Sequence, residues 1–98
     1  MAFRLRFTDQ ANADLVDLER DHSAVKRLKA VRKALGWLER NPRHPILNTH
    51  PYSQLSGTNG EKVYEAYAEN RTPAAFRIFW YYGSNAGEIV VVAITPHP

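Results

Sequence analysis

The stretch Glu61–Tyr82 constrains this chain most. Val63-Tyr64-Glu65-Ala66-Tyr67 and Phe76-Arg77-Ile78-Phe79-Trp80-Tyr81-Tyr82 are aromatic and β-branched, and Asn70-Arg71-Thr72-Pro73 lies between them. Runs of that kind bounded by Asn, Pro and Gly read as two strands of a β-hairpin. Side chains alternate across a strand, so Arg77, Phe79 and Tyr81 share one face while Phe76, Ile78 and Trp80 take the other. A guanidinium in so apolar a strand costs free energy unless it meets an anion. Two readings follow: Arg77 clamps a phosphate or carboxylate of a ligand, or it is a structural residue, snorkelling from an edge strand or paired with Glu65 across the hairpin.

The rest of the chain supplies elements to pack on that hairpin. Phe3-Arg4-Leu5-Arg6-Phe7 alternates strictly, which predicts a half-buried strand. Thr8 and Asp9 are N-cap candidates for a first helix carrying Ala11, Leu15 and Leu18 and running to about Arg20. Ser23 is the expected cap of a second helix, whose apolar stripe is Leu28, Val31, Leu35 and Leu38. Lys26, Arg27, Lys29, Arg32, Lys33 and Arg40 line its other side, a solvated basic face or an electrostatic footprint for phosphates. Asn41-Pro42 ends it. From Asn41 to Gly60 no regular pattern is visible; Ile46, Leu47 and Leu55 are expected to pin this connection to the core. A third strand of the meander is expected over Glu88–Ile94, after the turn Gly83–Gly87.

At 98 residues one domain, 1–98, is expected. Thirteen Lys and Arg against 10 Asp and Glu give a net charge of +3, a mild bias toward polyanionic partners. The absence of cysteine excludes disulfides, thiolate zinc sites and Cys nucleophiles. His44 and His50 have neither helical spacing nor cysteine partners, so no metal or other cofactor is expected. Met1–Phe7 alternates with arginine instead of building a signal-peptide core, and Ile89–Ile94 is too short to span a bilayer. The expectation is a cytoplasmic protein that does not engage membranes. What remains is a sheet face with Arg77 near a loop histidine, His50, and a C-terminal one, His97. That set suits cleavage of RNA by its own 2′-hydroxyl, which needs a base, an acid and a cation for the phosphorane.

The order strand, helix, helix, Pro-rich connection and meander is similar to the RelE/ParE superfamily of bacterial toxins. The segments that carry the resemblance are Asn41–Pro45, Tyr52–Gly57, Glu61–Tyr67, Thr72–Gly83 and Ala93–Pro98. The resemblance implies an α+β fold: an N-terminal strand, a two-helix hairpin and a three-stranded antiparallel meander, with the helices packed on one face of the sheet. It implies a toxin of a type II toxin–antitoxin module with a cognate antitoxin as partner. It implies an endoribonuclease that cuts messenger RNA on the ribosome, with two alternatives: an inhibitor of DNA gyrase, as in the ParE branch, or an attenuated, non-catalytic toxin homologue. Arg77 matches the strand arginine of the ribonuclease members, and His97 falls where some place a general acid. The general-base position is Ser53 here, with His50 as the nearby substitute; the basic pair of RelE on the preceding strand appears as Glu65 and Tyr67. The expected catalytic residues are therefore Arg77, His97 and His50. The candidate substrate contacts are Lys62, Arg43, Arg71, Tyr67 and Tyr81.

Overall fold

A computed structural model describes residues 2–97. The strand β1 (Arg4–Phe7) leads into α1 (Asp9–Arg20), and a 3-10 turn at His22–Ala24 connects to α2 (Val25–Arg40). A second 3-10 turn, Pro45–Leu47, precedes β2 (His50–Ser56), β3 (Lys62–Tyr67), β4 (Phe76–Tyr82) and β5 (Glu88–Pro96). The sheet order is β1-β5-β4-β3-β2; β1 runs parallel to β5 and the other pairs are antiparallel.

Thr8 caps α1 as its sequence suggests. Its hydroxyl accepts from the Ala11 amide at 3.1 Å and donates to the Val92 carbonyl at 2.8 Å, fastening the helix start to β5. Asp14 adds a second tie, accepting from the Ile94 amide at 2.9 Å. The cap expected at Ser23 is not made. Asp21 caps the 3-10 turn before it instead, its carboxylate accepting from the Ser23 amide at 2.9 Å and the Ser23 hydroxyl at 2.6 Å. Ser23 lies inside the 3-10 turn, where its hydroxyl serves as donor, and α2 starts after Ala24 with no side-chain cap.

The connection 41–60 is also more ordered than its sequence suggests. Residues 50–56 form β2, an edge strand, so the meander has four strands instead of three. Among the described residues only β3 borders β2, most of whose residues are exposed, and the ladder is irregular between Pro51 and Ser56. An edge strand buries little and tolerates proline, so neither alternation nor β-branching marks it. Of the three expected anchors only Leu47 is buried; Ile46 and Leu55 are 50% and 40% exposed.

The helices cover one face of the sheet. Ala11, Leu18, Val31, Ala34, Leu35, Leu38 and Leu47 pack there against Ala66, Ile78, Trp80, Ile89, Val91 and Ile94. The opposite face carries a smaller cluster of Val63, Phe79, Tyr81 and Val90, with Tyr52, Val92 and Ala93 against it. A bulge in β5 sets which residues reach which face. Phe79 pairs with Ala93 and Trp80 with Val91, so Val92 is the extra residue. Ile89 and Val91 face the helices before the bulge and Ile94 after it, and Thr95 and His97 are turned toward the helix-free face. Among the described residues no helix is long and apolar enough to cross a membrane.

Candidate active site

Alternation along β3 puts Val63, Glu65 and Tyr67 on the helix-free face. Glu65 is completely buried there. A carboxylate stripped of water must be paired or hydrogen-bonded, and three side chains meet it. His50 is its direct neighbour in the β2–β3 ladder, with Nε2 at 2.7 Å from Oε1. His97, just past β5, hydrogen-bonds Oε2 through Nδ1. Arg77 Nε lies 3.6 Å from Oε2, an ion pair too long for a hydrogen bond.

Arg77 is turned inward. Its guanidinium carbon sits 3.6 Å from the centre of the Tyr67 ring, and Nη1 donates to the backbone carbonyl of Glu69. The residue is only 8% exposed. Of the two readings of the strand arginine, the structure displays the contacts of the second: Arg77 pairs with Glu65 diagonally across the hairpin. The imidazoles are the groups that reach solvent, with the His50 and His97 side chains 42% and 49% exposed. His50 Nδ1 lies 2.9 Å from the Asn48 carbonyl, and its ring meets Tyr67 edge-on at 5.8 Å. The backbone amide of His97 donates to the Ala75 carbonyl at 2.9 Å, which holds the end of the chain against the β3–β4 connection.

The structure thus brings His50, His97, Arg77 and Tyr67 together and leaves the other expected contacts apart. Lys62 and Arg43 converge elsewhere, with their charged ends 6.0 and 5.2 Å from the ring centre of Tyr64. Tyr64 itself stacks on Trp80 at 5.0 Å, on the helix side of the sheet. Tyr81 belongs to the small apolar cluster and is 6% exposed. Arg71 is exposed in the β3–β4 connection at a positive φ of 62°. Ser53 is exposed on β2.

Glu65, the hub, was not among the expected site residues. Its signal was positional: a carboxylate at period two between Val63 and Tyr67, in a strand otherwise suited to burial. An open groove of about 230 Å³ is lined by Tyr52, Gln54, Leu55, Phe79, Ala93, Thr95 and Pro96, and none of the clustered side chains lines it. Among the described residues no group of three or more His, Asp or Glu side chains is arranged to hold a metal ion. The chemistry on offer is proton transfer by imidazoles oriented on a buried carboxylate.

No protein-family model matches the sequence, and no curated protein matches it. Solved structures do match in shape. A YoeB/ParE toxin from Agrobacterium tumefaciens superposes with a TM-score of 0.70 at 14% identity, over 97% of this chain and 99% of that one. The archaeal RelE–RelB complex from Pyrococcus horikoshii OT3 contains a chain with a TM-score of 0.65 at 16% identity, over 98% of this chain and 96% of that one. In the RelBE2 toxin–antitoxin complex from Mycobacterium tuberculosis the values are 0.62 and 21%, over 99% of this chain and all of that one. The chain therefore has a RelE/ParE-like α+β fold.

Proposed function

We propose that the protein is the toxin of a type II toxin–antitoxin module and that it cleaves messenger RNA on the ribosome. The toxin role is supported by full-length likeness in fold to a YoeB/ParE toxin and to chains from two toxin–antitoxin complexes. Those complexes also support a cognate antitoxin as partner. The observation that carries the RNA reading is the pair of half-exposed imidazoles held on one buried carboxylate at the helix-free sheet face. Two imidazoles and a guanidinium within one cluster supply the acid–base and cationic groups that 2′-hydroxyl attack on a phosphodiester requires.

One observation favours a second reading, inhibition of DNA gyrase by binding alone. Arg77, the expected phosphate clamp, is engaged by Tyr67, Glu65 and the Glu69 carbonyl. Induced expression without a partner separates the two. Growth arrest with loss of translation and ribosome-dependent messenger cuts supports the nuclease; arrest with loss of DNA supercoiling and intact messengers supports the gyrase inhibitor. Normal growth with folded protein accumulating removes both.

A further inference from the structure

The two imidazoles are not equivalent, and the difference lies in which nitrogens are in use. His50 faces an acceptor on each side: Glu65 Oε1 at 2.7 Å from Nε2 and the Asn48 carbonyl at 2.9 Å from Nδ1. A backbone carbonyl only accepts, and an ionised carboxylate only accepts, so both bonds are made together only when both ring nitrogens carry hydrogen. Exchange of a proton at either nitrogen breaks a bond that holds the ring. His97 differs. Its Nδ1 faces Glu65 Oε2, and Nε2 has no protein partner among the described residues. A proton on Nδ1, fixed by the carboxylate, leaves Nε2 as the atom that gains and loses a proton.

We propose that Glu65 is a positioning residue that divides the work between the two histidines. It pins Nδ1 of His97 so that Nε2 points outward as the proton donor, and it holds His50 as a fixed, doubly donating cation beside the substrate. This rests on the nuclease reading. In the step it serves, the 2′-oxygen bonds to phosphorus and gives its proton to water, while the bond from phosphorus to the 5′-oxygen breaks. The leaving 5′-oxygen takes the proton from His97 Nε2, and the products are a 2′,3′-cyclic phosphate and a 5′-hydroxyl. His97 is left neutral, its hydrogen still on Nδ1 and donated to Glu65. Arg77, against the same carboxylate at 3.6 Å and under the Tyr67 ring, helps to hold Glu65 in place.

The test joins a spectroscopic readout to a kinetic one, both on the full chain. In ring nitrogen NMR of the wild-type protein, neutral His97 shows hydrogen on Nδ1 and a lone pair on Nε2, while His50 shows hydrogen on both nitrogens. Glu65→Gln then mixes the His97 tautomers. It lowers kcat for ribosome-bound messenger cleavage by about a hundredfold, the lower range of acid–base catalysis, with KM nearly unchanged. Neutral wild-type His97 carrying its hydrogen on Nε2 overturns the proposal, whether or not Glu65→Gln folds. So does full kcat in a folded Glu65→Gln variant. A wild-type protein with the expected tautomers and no cleavage of any messenger rejects the nuclease reading instead, so the two failures are distinct.

Discussion

His50 and Glu65 stand directly opposite each other in the β2–β3 ladder, and the edge strand that carries His50 is the least regular of the sheet. A fully buried carboxylate is thus closed off on one side by a half-exposed imidazole. Its opposite oxygen is shared by His97 and Arg77. The buried cluster and the proposed site are the same four side chains, so substitutions there must be read by folding and activity together.

Arg77 and Glu65 should be energetically coupled. Replacing either one alone leaves a charge in a nearly dry site, and Arg77→Ala is expected to cost roughly 3 kcal/mol of stability. Arg77→Lys should recover little of it, because an ammonium reproduces neither the flat contact with Tyr67 nor the guanidinium's spread of donors. A double-mutant cycle of Arg77→Met and Glu65→Gln by denaturant unfolding is expected to give a coupling of about 1–3 kcal/mol. Additive effects would show that the two side chains do not pair.

The connection between α2 and β2 hangs on Leu47. Leu47 is 1% exposed in the main core while its neighbour Ile46 is 50% exposed. Leu47→Ala is expected to lose about 2–5 kcal/mol, through transfer and cavity costs together, and Ile46→Ala within about 0.5 kcal/mol. Similar losses for both in thermal unfolding would contradict this placement.

Asp21 carries a pH signature. The Ser23 hydroxyl, then the Ser23 amide, hold its carboxyl below the usual carboxylate range. A depressed folded-state pKa means that the contribution is present above the unfolded value and is lost as pH falls through the folded one. Ser23→Ala removes the larger cause and leaves the amide, so the Asp21 carboxyl should titrate at higher pH than in the parent. Carboxyl carbon NMR between the neutral and acid ends of the titration measures it; an unmoved Asp21 would mean that the hydroxyl does not donate to it.

Much of the fold was legible because alternation and helical spacing are printed on half-buried elements. Phe3–Phe7, Thr8 with Ala11 and Leu18, and Val31 with Leu35 and Leu38 each display a wet and a dry side. The strand β2 was hidden because an edge strand of His, Pro, Ser and Gln buries almost nothing. The phase of β5 was hidden for the opposite reason. Ile89–Ile94 is aliphatic throughout, so no polar residue marks the bulge at Val92, and with it the side on which His97 emerges. Convergence of the site was legible only in pieces. Arg77, His50 and His97 stood out by residue type, whereas the contact that joins them depends on the β2 register and on that bulge. Lys62 and Tyr67 lie on one strand but face opposite ways, as the odd spacing between them requires.

The two histidines should separate stability from activity. His97→Ala removes a side chain that is about half exposed, and Arg77 still faces the oxygen it leaves, so unfolding should shift by less than about 1 kcal/mol. If His97 is the proton donor, ribosome-dependent cleavage nonetheless falls by about a hundredfold or more. His50→Ala strips Glu65 Oε1 of its hydrogen bond inside a fully buried residue, with an expected cost of about 1–3 kcal/mol. It should slow cleavage less than His97→Ala does, since the proton donor is still present. Melting temperature and single-turnover cleavage of ribosome-bound messenger, taken on the same preparations, decide the matter. Wild-type cleavage by a folded His97→Ala variant removes His97 from the chemistry. A folded His50→Ala variant that loses more cleavage than a folded His97→Ala variant would exchange their roles.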